Sequence, residues 1–279
     1  MPSAAAFACN TYSYTFSYAA DRCVAHLADL GFSEFELMVY PGHLWPGDAA
    51  LRRALVELVG ARGLRIVSLN MPNVDMNIAG ASAEMRSYSL DLIERIVALA
   101  GELGASGVVI GPGKANPLFP APTERLTGHF FAALERLLPL AEKAGTALWV
   151  ENMPFAFLPT IEGLMGALAR FGADQIGIVY DAANGHFIGE DVAGGLKACR
   201  ERLRLVHLSD TDQFTYKHAA VGTGTVPFQG IPAVLAEIGH TRRPMLEIIS
   251  ADADGDILAS AVQLSRLGFA ERRPEFPRD

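Results

Sequence analysis

At 279 residues, half of them hydrophobic and 19% charged, the chain has enough apolar mass for one large domain with a substantial core. Its formal net charge of -8 and the scatter of its Lys and Arg residues exclude the concentrated basic face of a nucleic-acid binder. No apolar run is long enough to span a bilayer, so no membrane partner is expected.

The start, Met1-Pro2-Ser3-Ala4-Ala5-Ala6, lacks the basic and long apolar segments of a secretory leader. Three cysteines, Cys9, Cys23 and Cys199, fall in no metal-ligand spacing. Together these features point to reduced thiols in the cytoplasm, each serving as a small buried hydrophobe. Short β-rich apolar runs predict strands at 6–10, 33–39, 64–70, 107–111, 147–151, 176–181, 203–208 and 244–249. Segments of helical period predict helices near 19–30, 48–62, 83–103, 123–144, 160–171, 190–201, 228–239 and 255–267. Strict alternation of this kind is the pattern of a closed parallel sheet, a single (β/α)8 TIM barrel in the α/β class. An open doubly wound sheet is disfavoured because no GxGxxG follows the first strand. Ser82 is an N-cap candidate, and Gly104 and Gly145 are candidates for left-handed helix ends. The barrel is expected over residues 1–270. A charged, proline-broken tail, 271–279, follows, frayed or docked on a neighbouring subunit.

The longer loops, 40–47, 71–81, 112–122, 152–159 and 209–227, all follow strands and so collect at the face where barrel active sites lie. At that face four strands in succession place a metal-ligand side chain at or near their ends. Glu151 ends Ala147-Leu148-Trp149-Val150, Asp181 ends Ile176-Gly177-Ile178-Val179-Tyr180, His207 sits in Leu203-Arg204-Leu205-Val206-His207-Leu208, and Glu247 lies within Met245-Leu246-Glu247-Ile248-Ile249. An unpaired carboxylate in such apolar strands would be costly. Neighbouring strands about 4.8 Å apart can bring all four onto one cation. Three carboxylates and an imidazole suit a divalent Mn2+, Mg2+, Co2+ or Zn2+ ion with positions left open for substrate or water.

The pieces Val150-Glu151-Asn152, Tyr180-Asp181-Ala182-Ala183-Asn184, His207-Leu208-Ser209-Asp210-Thr211-Asp212, and His218 followed by Val221-Gly222-Thr223-Gly224 carry a family likeness. On them the chain resembles, over essentially its whole length, the xylose-isomerase-like barrel superfamily of sugar isomerases, epimerases and related lyases. The resemblance implies that Glu151, Asp181, His207 and Glu247 bind one catalytic metal and that Glu151 and Glu247 form the acid/base pair of a ketose epimerase. It also implies a homo-oligomer. Two departures stand out. Many epimerases carry a histidine three residues after the aspartate ligand, where this chain has Asn184, with His186 two residues further on. They often carry an arginine after the histidine ligand, where the chain reads Gln213-Phe214-Thr215-Tyr216-Lys217-His218.

Apurinic endonucleases share this barrel but need additional zinc-binding histidines. Asn70 and Gly111 or Pro112 stand near those early-strand positions, and Tyr216-Lys217-His218 replaces their Asp-x-His pair, which with the acidic charge argues against DNA repair. Substrate contacts are expected from Lys114, Asn184, His186, His218, His43 and Asn70. Asp210 is a candidate for orienting His207 or substrate. Glu36 is either a substrate contact or a buried ion-pair member, and Phe155, Phe157 and Trp45 either line the pocket or pack in the core.

The expected chemistry is proton transfer beside the carbonyl of a sugar or keto-polyol. Return of the proton to the same carbon from the opposite face gives epimerisation, and return to the adjacent carbon gives isomerisation. A β leaving group would give elimination, which keeps open a dehydratase or lyase acting on an inosose- or dehydroshikimate-like compound. A sugar-binding barrel without activity is the non-enzymatic alternative.

Overall fold

Each apolar run is short, and each is followed by residues that turn the chain into a helix packing back on the sheet. The computed structural model describes residues 4–72 and 76–269; the tail at 271–279 lies outside the described residues. The strands are β1 (Ala8–Asn10), β2 (Glu34–Met38), β3 (Arg65–Asn70), β4 (Gly107–Ile110), β5 (Ala147–Glu151), β6 (Gly177–Asp181), β7 (Leu203–Leu208) and β8 (Met245–Leu246). The helices are α1 (Ala20–Asp29), α2 (Ala49–Arg62), α3 (Ala83–Leu103), α4 (Thr123–Ala144), α5 (Ile161–Phe171), α6 (Ala182–Phe187), α7 (Val192–Ala198), α8 (Ile231–Glu237) and α9 (Ala253–Arg266). All pairings are parallel, and the order β1-β2-β3-β4-β5-β6-β7-β8 closes on itself through β8 and β1. The protein is a (β/α)8 TIM barrel.

The helix boundaries follow local chemistry. Ser82 Oγ accepts a hydrogen bond from the Met85 N–H at the start of α3, and Gly104 and Gly145 end α3 and α4 in the left-handed region at φ 66° and 72°. The three cysteines are buried, and burial raises each thiol well above its ordinary value.

Two elements differ from the sequence reading. The eighth strand, expected over 244–249, stops at Leu246 as a sheet strand, because the chain beyond it changes partners. The Glu247 N–H still bonds to the Leu208 carbonyl at 3.1 Å, but the Ile249 N–H donates to the His218 carbonyl at 2.7 Å. The β7–α8 loop thus returns to the sheet and takes over the end of β8. The second difference is α6, one short helix placed directly after Asp181.

The floor of the barrel is filled by Trp149, buried among Val67, Val109, Val179 and Leu205. Its ring spreads across two neighbouring strands, and glycines make the room. A Cβ on Gly107 or Gly177 would run into the Trp149 ring. Arg242 closes the floor from outside, its guanidinium 5.5 Å from the ring centroid. Gly107→Ala should therefore destabilise the protein by ~1–3 kcal/mol through overpacking. Gly128→Ala, exposed within α4 with open space around its Cβ position, should be neutral or stabilise by up to ~1 kcal/mol. Chemical denaturation of the two variants against the parent checks the contrast.

Candidate metal centre and active-site cavity

Glu151, Asp181, His207 and Glu247 converge at the carboxyl ends of β5 to β8. All four are buried, and one ligand atom from each lies within 4.8 Å of the others. The His207 ring turns Nδ1 toward the carboxylates. It lies 3.0 Å from Glu247 Oε2, 3.3 Å from Glu151 Oε1 and 3.8 Å from Asp181 Oδ2.

Each ligand is held by its surroundings. Asn152, just past β5, clamps the backbone of Asp181: its Oδ1 accepts from the Asp181 N–H at 2.7 Å and its Nδ2 donates to the Asp181 carbonyl at 3.1 Å. Asp181 then caps α6, with Oδ1 accepting from the Asn184 N–H at 2.6 Å. Its other oxygen, Oδ2, is buried and has no hydrogen-bond partner. An orphaned carboxylate oxygen aimed at two more carboxylates and an imidazole is what a cation site requires and what a plain core would not tolerate. The donor set of three hard carboxylates and one imidazole fits a divalent ion.

Glu36 turns out to be the buried ion-pair member of its two readings. At the carboxyl half of β2 it accepts from Asn10 Nδ2 (2.6 Å), Ser68 Oγ (2.6 Å) and Asn70 Nδ2 (3.3 Å). Its Oε1 lies 3.2 Å from His207 Nε2, near enough for ion pairing although off the line of a good hydrogen bond. Burial alone would raise this carboxyl, but His207 and the Ser68 and Asn70 donors hold it below the ordinary glutamate range. Glu36 therefore backs the imidazole from the side away from the cluster, as carboxylates behind metal-binding histidines do.

The electrostatics of the remaining glutamates run the other way. Burial pushes both Glu151 and Glu247 up to about 7, against the pull of His207 and with help from the neighbouring carboxylates. Burial alone would lower His207, but Glu36 and Glu247 raise it well above the usual histidine range.

A cavity of about 370 Å³ opens above the cluster, within the ~300–1,000 Å³ typical of small-molecule sites. Glu151 and Glu247 line it; Asp181 and His207, both fully buried, are absent from its lining. Asn184, His218, Asn70 and Lys114 line it as well, as does Phe155. Phe157 and Trp45 pack instead against the core.

His43 and His186 stand elsewhere. His43 is buried under the β1–α1 segment, with Nδ1 2.6 Å from the Tyr18 carbonyl and Nε2 2.9 Å from Thr11 Oγ1. Both nitrogens are committed there, and burial lowers its pKa. His186 lies on the outer side of α6, with Nε2 2.8 Å from Thr225 Oγ1. Asp210 organises the β7–α8 loop rather than His207, its carboxylate accepting from the N–H groups of Thr211, Gly222 and Val226.

Tyr216, singled out by no motif, completes the cavity wall. Its hydroxyl is 2.7 Å from both Asn184 Oδ1 and His218 Nε2. Asn184 Nδ2 in turn donates to the Asn152 carbonyl (2.8 Å) and to Glu151 Oε1 (3.4 Å). His218 Nδ1 meets Ser209 Oγ at 2.9 Å and stands 3.4 Å from Glu247 Oε2. A belt of hydrogen-bonding side chains thus links one glutamate to the other along the rim of the cavity.

Residues 24–266 match the profile of a family described as xylose isomerase-like TIM barrel. The chain belongs to that family. Within this xylose-isomerase-like frame it is similar to an uncharacterized protein of Methanocaldococcus jannaschii, 25% identical over 77% of this chain and 74% of that protein. It is similar also to the L-ribulose-5-phosphate 3-epimerase of Salmonella paratyphi C, 22% identical over 73% of this chain and 71% of the epimerase. A solved D-tagatose 3-epimerase-like protein superposes with a TM-score of 0.82 at 20% identity, covering 94% of this chain and 96% of the other. The xylose-isomerase-like chain is thus a sugar isomerase/epimerase-like barrel carrying a buried Glu, Asp and His group that fits a metal ion. Among the described residues no helix is long and apolar enough to cross a membrane.

Two outcomes follow from this packing. Glu36→Gln leaves one acceptor oxygen for several donors and loosens the grip on Nε2, so Mn2+ affinity by calorimetry should fall ~10–100-fold with the circular dichroism spectrum unchanged. Protons on Glu151, Glu247 and His207 compete with a cation for the same atoms, and all three are raised. Metal affinity should therefore rise with pH through the region around 7, with proton release on binding, measured by titration in buffers of different ionisation enthalpy.

Proposed function

We propose that this chain is a divalent-metal-dependent epimerase or isomerase of keto-sugars, working by proton transfer beside a carbonyl. One observation carries the reading: of the four clustered residues, only Glu151 and Glu247 line the cavity. The cluster therefore divides into two ligands behind, Asp181 and His207, and two glutamates that also face a bound molecule.

Those two glutamates come from the first and last strands of the four-strand arc, so they approach the cavity from two sides. A pair of carboxyls placed this way can remove a proton from one face of a carbon and return one from the other. Their raised values, about 7 for each, suit groups that must both accept and donate protons near neutrality. Mn2+, Mg2+, Co2+ or Zn2+, held by the four residues, would supply stabilisation of negative charge developing on the substrate oxygens.

The rest of the chemistry belongs to the chain. Asn184, Tyr216 and His218 form the polar wall between the glutamates and are the groups available to hold the hydroxyls flanking the reacting carbon. In many epimerases a histidine three residues after the aspartate and an arginine after the histidine ligand stand in this region. Here the amide of Asn184, fixed by the Asn152 carbonyl, and the Tyr216–His218 pair supply the polar groups of the cavity wall. Similarity to an L-ribulose-5-phosphate 3-epimerase and to a D-tagatose 3-epimerase-like protein supports an assignment to ketose chemistry.

Glu151→Gln and Glu247→Gln retain a coordinating oxygen and the side-chain volume but cannot accept a proton. Each should keep measurable metal binding while activity on the responsive ketose falls ~10²–10⁴-fold. In D2O the parent protein should place deuterium on the carbon beside the ketone, read by proton NMR. Full activity in both variants, or turnover with no label, would remove the glutamates as proton carriers.

A further inference from the structure

The cavity has two chemically different sides. The polar side, made by Glu151, Asn184, His218 and Glu247, sits at the ends of β5 to β8. Facing it, beneath the loops after β3, β4 and β5, lie Met71, Met76, Ile78, Ile93, Met153 and Phe155. In the closed strand order β3 and β4 stand across the barrel from β7 and β8, so Met71, Met76, Ile78 and Ile93 lie across the mouth from His218 and Glu247, while Met153 and Phe155, just past Glu151, join the two sides.

Among the described residues, the side-chain amides of Asn77 and Asn70, which border the apolar side, are engaged with the protein itself. Asn77 Oδ1 accepts from the Ala79 and Lys114 N–H groups at 3.0 and 2.9 Å, and its Nδ2 donates to the Lys114 carbonyl at 2.9 Å. The amide is a strut between two loops. Gly113 packs so tightly in the same joint that a Cβ would come within 2.6 Å of the Ala79 Cβ. Asn70 Nδ2 turns down toward Glu36. Hydroxyls set against the methionine, isoleucine and phenylalanine side chains would lose water and gain no partner from them, a loss that discriminates strongly. A phosphate would need several converging donors, whereas among the described lining residues Lys114 is the one Lys or Arg. Methionine thioethers, flexible and polarizable, suit an apolar group of variable shape. An aromatic path leads outward from the polar side: His218 and Phe155 each pack edge-on against Tyr216 at 5.2 Å, and Phe155 is 62% exposed at the mouth.

We infer that the substrate is a hydroxyketone whose polyol head meets Glu151 and Glu247 and which carries an apolar substituent, alkyl or aryl, in place of a phosphate at the end remote from the carbonyl. The inference rests on reading the two glutamates as the proton-transfer pair, which fixes where the head lies.

Three ketoses differing only at O6 test it: D-fructose, D-fructose 6-phosphate and 6-O-benzyl-D-fructose. Their binding to Mn2+-loaded protein is measured by calorimetry, and their label uptake in D2O by NMR. The benzyl ether should bind at least about tenfold tighter than either of the others, as expected for burying an aromatic ring. The double variant Met153→Gln/Phe155→Ser, at positions that are half-buried and exposed, should reduce that preference to less than about threefold. Equal binding of the three, tighter binding of the phosphate, no binding by any, or an unchanged preference in the double variant overturns the inference. The two readings fail differently. A benzyl ether that binds tightly but takes up no deuterium removes proton transfer and leaves the apolar subsite standing. Deuterium uptake by D-fructose with no gain from the benzyl group removes the subsite and leaves proton transfer.

Discussion

Three carboxylates and an imidazole brought within 4.8 Å of one another, shielded from water, cannot all carry their ordinary charges without a counterion. Two of the carboxyls answer by holding their protons to about 7 and the imidazole answers by keeping its own. The rest of the upper barrel is arranged around this imbalance. Asn152 and the cap of α6 fix Asp181 so that one oxygen has no protein partner. Asn10, Ser68 and Asn70 steady Glu36 so that it can steady His207. The layer beneath, around Trp149, is filled with apolar side chains instead.

The two layers divide the labour between stability and chemistry. Below, Trp149 spreads over the space vacated by Gly107 and Gly177 and gives the barrel a solid floor. Above, Asn10, Glu36, Glu151, Asp181, His207 and Glu247 form a polar layer whose members contact one another across several strands. Because strands present alternate residues to the interior, a change of one position in register would turn both sets of side chains out of the barrel. The pairing of Asp181 with His207 and of Glu36 with Ser68 is thus as much a condition of function as of folding.

Much of this was legible in the sequence, for physical reasons that vary by residue. Glu151 and Asp181 could be read because each ends an apolar run, where a carboxylate is conspicuous. Glu36 was equally conspicuous but ambiguous, since a buried acid on a strand announces a partner without naming it; the partner, His207, lies five strands away in sequence order. The short helix α6 leaves no sequence signal because Ala182-Ala183-Asn184-Gly185-His186-Phe187 is too brief for a periodicity and contains residues that weaken helices. It forms because Asp181 caps it. That helix also explains His186, which it turns toward Thr225. A histidine on the loop after β2 can reach the site or stand exposed, and His43 is instead buried by two hydrogen bonds that no sequence pattern signals. Tyr216 lies in a long irregular loop whose aim no pattern in the chain encodes.

The exchange of partners at the end of β8 reaches further than the trimming of a strand. Through the bond from Ile249 to the carbonyl of His218, and the antiparallel bridge of Asp210 with Ala219, the segment bearing Tyr216 and His218 is stitched to the same backbone that carries Glu247. This half of the mouth is built as masonry, not as a door. On the opposite bank, among the described residues, Asn77 ties the loop after β3 to the loop after β4 through Lys114. Divergence in what the barrel accepts can then accumulate on that bank alone, leaving the reacting groups where they are.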